Sequence, residues 1–435
     1  MMSSRWNSAR NPSCGDIGIA RRISLLSTLG VIMLGGTLGA APAVAPAITM
    51  VEYEVLLDTV HKGFDGRHCW VHPRAGIVPR GPNRSPAVVL TMQSLWLKGS
   101  DVFFALTEMR SNTLGRTWMG PYEHTETLGR RNEPNGLIVV PSDFWPQWHA
   151  QSGRLLGIGH TVRYANDRVH TTSGRQTTYS VYDPEKLTWT SWNTLTLPDP
   201  VRYHNSGAGS VQRVDLPNGE ILLPTYGRMG TDPDYRTMVL RCTFDGTTLR
   251  TTEVGSELTI KGGRGFGEPS LAHFGGRFFI TLRNDLNAYV ATSRDGLHFD
   301  EPRVWRWDDG TELGSYNTQA HWVTHRDGLF LVYTRRGASN DHVIRHRAPL
   351  FIAQVDPEKL TVRRATERIL VPDRGARLGN FGVTEVSPDE TWVTVAEWMQ
   401  TFSPQLIIPV DNARGADNSV YAARILWKVP NTPKD

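Results

Sequence analysis

Glu268 stands between Gly267 and Pro269, fifteen residues before Arg283. A carboxylate can take a proton from a hydroxyl, and a guanidinium fork can hold an oxyanion bidentately while staying charged. Gly265 and Gly267 leave space for a ligand beside that carboxylate. Pairing between Glu268 and Arg283 is the plainer role, and both roles can hold together. Further candidates fall at a regular offset, seven residues after each of six turn anchors: Thr107, His160, Tyr226, Arg283, Arg335 and Glu397. Any one of them could simply be a strand end entering a solvated turn. As a set they would ring one mouth of a repeated structure, and convergent polar groups in a concavity are the ordinary form of an active site. Gln319 and His321 open a strand much as Glu268 does, which makes them candidates for ligand contact. His68 and His72 have no fixed third ligand nearby, so no metal centre is expected. The glycine-rich stretch 262–267 lacks the strand-to-helix setting of a phosphate loop, and no cofactor is expected.

The elements that would position these residues are short, β-rich and repeated. The chain has no long helical periodicity, and its apolar runs are broken by Gly, Pro, Asn and Asp. One unit recurs: an apolar strand, a tight turn, and a second strand ending in a polar residue. It reads EPSLAHFGGRFFITLRND from 268, SVQRVDLPNGEILLPTY from 210, QAHWVTHRDGLFLVYTR from 319 and NFGVTEVSPDETWVTVAE from 380. Weaker copies lie at 86–108 and 145–160. The turn anchors Ser100, Gly153, Gly219, Gly276, Gly328 and Glu390 are 52 to 66 residues apart. A second repeat, Asp-Pro-Glu-Lys-Leu-Thr, occurs at 183–188 and again at 356–361. Six similar units predict an all-β, six-bladed β-propeller of four-stranded antiparallel blades, spanning residues 48–435 as one domain. Seven blades remain an alternative, because 110–140 and 400–420 are long and irregular. The closing sheet is expected to pair residues 53–60 beside 421–427.

Residues 1–47 read differently. Arg5, Arg10, Arg21 and Arg22 precede an apolar run from Ile23 to Leu38, then alanines from Ala40 to Ala47. That is the pattern of a secretory signal, with an uncleaved anchor as the alternative. Export to the periplasm or beyond is expected, and Arg21-Arg22 is compatible with a twin-arginine route. The segment carries four Arg and one Asp, a net +3 of the chain's +4. The remainder is near neutral, which argues against a nucleic-acid surface. No later apolar run is long enough to insert in a membrane. Two cysteines, Cys69 and Cys242, follow Cys14, so buried thiols are expected, with one bridge as the alternative. A monomer is expected.

Residues 293–299, Ser-Arg-Asp-Gly-Leu-His-Phe, follow a predicted strand, and 111–118, Ser-Asn-Thr-Leu-Gly-Arg-Thr-Trp, share their frame with Thr113 in place of the Asp. This resembles the Asp box of the sialidase (neuraminidase) superfamily, a structural turn in which Ser and Asp bond backbone groups. The resemblance extends over most of the chain after residue 47. It implies a carboxylate clamp of three arginines, matched here by Arg74, Arg283 and Arg335, with Glu268 as the general base. It also implies a Tyr nucleophile opening the last blade, where this chain reads Asn380-Phe381-Gly382. The acid/base Asp of the family has no counterpart at its usual place; Asp65 lies in the preceding loop, and Glu108 ends the first blade's second strand.

The function implied is an exported exo-glycosidase removing a terminal acidic sugar from a glycan or polysaccharide. Tyr226 or Tyr316 could replace the missing nucleophile. Otherwise Glu268, Glu397 and Glu108 could supply a carboxylate pair, about 5.5 Å apart for retention or more than about 6.5 Å for inversion. Two other readings stand beside this one. A uronate lyase would use His160 and Tyr226 as base and acid. A glycan-binding propeller would carry no chemistry at all.

Overall fold

The computed structural model describes residues 50–81, 85–97, 101–400 and 414–432. The chain divides into units Met1–Ala47 and Ile48–Asp435, of which the first, with the expected signal segment, lies outside the described residues. The described strands form six sheets. The first runs in chain order through His68–Val78, Ala87–Trp96, Val102–Ser111 and Met119–Glu123. The fourth repeats that plan with Gly267–Phe274, Arg277–Arg283, Tyr289–Ser293 and Arg303–Val304. The second, third and fifth keep the plan with extra short strands. The last sheet takes Gly382–Ser387, Glu390–Ala396 and Val420–Trp427 from the C-terminal end. Its fourth strand comes from the start of the unit, Tyr53–His61, with Tyr53 opposite Trp427. This is the closure expected from the sequence.

The sheets pack face to face around a closed ring, each sharing an apolar layer with the next. Val89 and Phe144 join the first to the second, and Ile158 and Leu223 the second to the third. Leu222 and Leu271 join the third to the fourth, and Trp305 and Trp322 the fourth to the fifth. Val332 and Val393 join the fifth to the last, and Leu90 and Trp392 bring the last back to the first. The fold is an all-β propeller, in which closure leaves no sheet face uncovered.

The turns carry the repeats that the sequence showed. Ser293 Oγ accepts from the Gly296 amide at 2.9 Å, and Asp295 Oδ1 accepts from Leu297 and His298 at 2.8 Å each. In the second copy Thr113 Oγ1 replaces the carboxylate, accepting from the Thr117 amide at 2.9 Å. Each lies between the third and fourth strands of its sheet. The two Asp-Pro-Glu-Lys-Leu-Thr segments fold alike: Asp183 and Asp356 each accept two following amides at 3.0 Å, and Leu187 and Leu360 are both left-handed. Cys69 and Cys242 are buried free thiols, so no bridge joins them. No helix among the described residues is long and apolar enough to cross a membrane.

Candidate active site

Six non-glycine residues have left-handed backbone with φ from 42 to 65°: His72, Asp143 and Glu268 within strands of their sheets, and Ser210, Asn317 and Asn380 a few residues before a strand. Non-glycine residues rarely adopt this conformation, and such strain collects at functional sites. At three of them the strand pairing slips: between Val71 and Arg74, between Ser142 and Trp145, and between Gly267 and Ser270. A bulge inserts a residue and re-aims the side chains around it. On the first, second and fourth sheets it thus re-aims His72, Asp143 and Glu268.

Asp143 is the hub. It takes a short hydrogen bond from Ser210 Oγ, and Arg74 Nη2 and Asn380 Nδ2 each reach it at 3.4 Å. His72 Nε2 lies 3.4 Å away and His160 Nε2 3.5 Å. Burial opposes its charge, but His72, His160, Arg74 and the Ser210 hydroxyl outweigh burial and hold the carboxyl well below its ordinary range. Arg74 is fully buried and also donates to Ser210 Oγ at 2.5 Å and to the Phe381 carbonyl at 3.4 Å. Its Nη1 has no partner among the described residues. Burial pushes His72 down to about 4 and His160 to about 3, the latter with help from Arg175, so both are neutral at pH 7. Two glycines seat His160: a Cβ on Gly209 would lie 2.3 Å from its Nδ1, and one on Gly207 2.6 Å from its Cβ.

Beside this hub lies a cavity lined by Glu268, Arg283, Tyr226, Arg175, Tyr235, Arg264 and Asp285. Glu268 pairs with Arg283 Nη1 through a short contact. Burial is the largest influence and raises its pKa, but the charge and hydrogen bond of Arg283, with Arg347, together outweigh it and leave the carboxyl below its usual value. Burial pushes the Tyr226 phenol far above its ordinary value, against the pull of Arg175. The Arg175 guanidinium lies 5.7 Å from the Tyr226 ring centre and 5.4 Å from that of Tyr235. Arg264 forms a fork with Asp285, a short contact at Nε and 2.6 Å at Nη2. Arg283 Nη2 donates to Asn317 Oδ1 at 2.9 Å, and Arg347 Nη2 donates to the Asn317 carbonyl. Arg347 is buried, and burial together with Arg283, Arg345 and Arg377 depresses its pKa strongly. No group of three or more His, Cys, Asp or Glu among the described residues could hold a metal.

Of the residues singled out from sequence, Glu268, Arg283, Arg74, Tyr226, His160 and His72 come together. The others do not. Arg335 is held away from them in a fork with Glu367, 2.8 and 2.7 Å, and its guanidinium lies over Phe351 and Trp307. The arginine of the fifth sheet that reaches the site is Arg347, which sits just before a strand, Leu350–Asp356, instead of after one. Glu397 anchors the returning chain, accepting from the Asp417 and Ser419 amides at 2.8 and 3.2 Å and from Tyr421 Oη at 3.2 Å. Glu108 is buried against Arg110, His124 and Trp189, between the first two sheets. Asp65 caps an exposed turn through the Arg67 and His68 amides at 2.7 Å each. Tyr316 bonds His346 Nδ1 at 2.6 Å and flanks the site only through its neighbour Asn317. Gln319 is fully buried. His321 is buried between Trp145 and Phe381 and bonded to Ser270 Oγ at 2.5 Å. Sequence reasoning missed Asp143, Asn317 and Arg347. The repeat held a signal for the first: three copies begin at Ser210, Glu268 and Asn380, and the second-sheet copy, started at Trp145, cuts off Asp143 two residues upstream.

No family model matches the chain, and no curated protein matches it. Solved structures do. A Hadza microbial sialidase, Hz136, superposes with a TM-score of 0.58 at 13% identity, over 85% of this chain and 68% of that one. A protein of unknown function from Dyadobacter fermentans gives 0.54 at 13% identity, over 86% of this chain and 99% of that one. Trypanosoma rangeli sialidase gives 0.53 at 14% identity, and the matched region is 55% of its length. At these identities the likeness is one of fold: the chain is an all-β propeller with sialidases among its structural neighbours.

Proposed function

We propose that the protein is a glycoside hydrolase acting on a terminal sugar that carries an anionic group, on a scaffold whose six sheets serve as six blades. The observation that carries this reading is the placement of Glu268 and Tyr226 in one cavity with Arg283 and Arg175. An ionised carboxylate next to a neutral phenol can take its proton as the phenolic oxygen attacks an anomeric carbon. Glycosidases with a tyrosine nucleophile are a known exception to the two-carboxylate scheme. Arg74, Arg283 and Arg347 supply positive charge for the anionic group, and Nη1 of Arg74 has no partner among the described residues. Arg74 and Arg283 are paired with Asp143 and Glu268, but no carboxylate pairs with Arg347 among the described residues; a buried cation is costly without a counter-charge, so an anionic ligand is its natural complement. The lyase reading fares worse, since His160 is turned to Asp143 and its basicity is depressed. Segment 1–47 would direct export, placing the enzyme where glycans are met.

The test is turnover of Glu268→Gln and Tyr226→Phe on aryl glycosides of acidic sugars. Neither substitution changes the shape of the site, and the Tyr226 hydroxyl donates no hydrogen bond to a described protein group. Both variants should keep the parent's fold and lose activity about 10²-fold or more, the scale of general-base catalysis. An active Tyr226→Phe removes the nucleophile assignment. A parent that binds acidic sugars and turns none over favours a glycan-binding propeller.

A further inference from the structure

We infer that Asn317 is the positioning residue that sets the spacing between Arg283 and Arg347, and through it the preference for an anionic sugar; this rests on the function proposed above. One residue holds both guanidinium groups. Its side-chain oxygen accepts from Arg283 Nη2 at 2.9 Å, and its backbone carbonyl accepts from Arg347 Nη2. Because the Arg283 guanidinium has no acceptor, the amide orientation is fixed: oxygen toward Arg283, nitrogen away from it. Like charges drawn this close repel, and burial alone would drive them apart or toward water. A shared neutral acceptor holds the pair without cancelling their charge, as an aspartate would.

The backbone explains why the task falls to an asparagine. Asn317 has φ 51°, a conformation that asparagine tolerates better than other side chains with a Cβ. Its own amide donates to the Asn284 carbonyl at 2.8 Å, next to Arg283 in the fourth sheet. Asn284 is fastened in turn, donating from Nδ2 to the Gly262 and Gly265 carbonyls at 3.0 and 2.9 Å. Behind Arg347, Gly379 leaves no room for retreat: a Cβ there would lie 2.8 Å from the arginine Cδ. The left-handed turn at Asn317 therefore projects carbonyl and side-chain oxygen toward two arginines from different stretches of chain, one ending a strand of the fourth sheet and one entering a strand of the fifth.

Two variants separate the roles. Asn317→Gly keeps the left-handed backbone and the carbonyl that holds Arg347 while deleting the acceptor of Arg283. Asn317→Asp keeps an acceptor but adds a charge that competes with the ligand. Both should fold like the parent. On an aryl glycoside of an acidic sugar, Asn317→Gly should raise KM about tenfold with a smaller change in kcat, the scale of losing one charge-assisted hydrogen bond. Asn317→Asp should raise it at least as much, and more steeply at low salt. An unchanged KM in both variants overturns the inference. A crystal structure of Asn317→Gly provides the arm independent of turnover. A displaced Arg283 supports the positioning role even if no acidic sugar proves to be a substrate, whereas an Arg283 that keeps its place refutes it.

Discussion

Asp143 and Ser210, on neighbouring sheets, are joined twice: the Ser210 amide donates to the Asp143 carbonyl at 3.0 Å, and the Ser210 hydroxyl donates to the Asp143 carboxylate. Both residues are left-handed, at φ 53° and 57°. The strained backbone at each is thus held by the other, and the carboxylate between them neutralises a wholly buried Arg74. Asp143→Asn leaves that arginine without its counter-charge, which should cost about 3 kcal/mol of stability. Chemical denaturation of the two forms at pH 7 measures it, and a loss below about 1 kcal/mol would mean that Arg74 has another route to compensation.

Arg335 and Arg347, which flank strands of the fifth sheet, should respond in opposite ways. Arg335→Ala removes a fork to Glu367 and a guanidinium lying over Phe351, so it should lose about 1–2 kcal/mol of stability and leave KM untouched. Arg347→Met keeps much of the side-chain volume and deletes a buried cation crowded by other arginines. It should keep or raise the melting temperature while KM for an acidic sugar rises about tenfold. Exchange of these two outcomes would restore Arg335 to the clamp.

That contrast marks what the sequence made legible. The repeated strand–turn–strand unit, the Asp-box turns and the terminal closure depend on local patterns, such as alternation, turn residues and caps, that a linear reading can follow. Glu268 and Arg283 were legible because they lie in one hairpin, on adjacent strands of one sheet. Arg335 and Glu397 stand at the same offset but are held by partners of their own, Glu367 for the one and the Asp417 and Ser419 amides for the other, which the spacing does not reveal. Asp143 was within reach of the repeat, two residues upstream of where its copy was started, whereas Asn317 and Arg347 depend on backbone conformation and on contacts between sheets.

Stability should fall on mild acidification, because three wholly buried histidines resist protonation. His72 and His160 are depressed from 6.5 to about 4 and about 3, and His321 lies well below 6.5, burial being the main cause in each. Below pH 6.5 the unfolded chain binds protons that these buried rings refuse, so stability rises with pH across this window and drops as pH falls toward 4. Each ring contributes a slope of up to about 1.4 kcal/mol per pH unit. Asp143, held below its ordinary range, adds nothing until the pH is lower still. His321→Phe fits the aromatic slot between Trp145 and Phe381 and should flatten the curve by one ring's share. Parallel denaturation curves for parent and variant from pH 7 to 4 would show that His321 does not titrate in this way.

The last prediction concerns the leaving group. Cleavage of a glycosidic bond is fastest when an acid protonates the departing oxygen, and the described site offers none at neutral pH. Asp143 is kept ionised by its histidines and Arg74, Asp285 by Arg264 against the effect of burial, and Glu268 by Arg283. The Tyr226 phenol carries a proton, but the proposed chemistry sends it to Glu268. The departing group must then leave as an anion or draw on water. Glycosides of nitrophenols should therefore be cleaved about 10²–10⁴-fold faster than those of simple alcohols, the factor that general acid catalysis would otherwise supply. A series of aryl glycosides of one acidic sugar, compared by kcat/KM against the acidity of the released phenol, measures this. A steep dependence is expected. A flat series would mean that a proton reaches the leaving oxygen after all, and the role of Asp143 or Asp285 would have to be that of the acid.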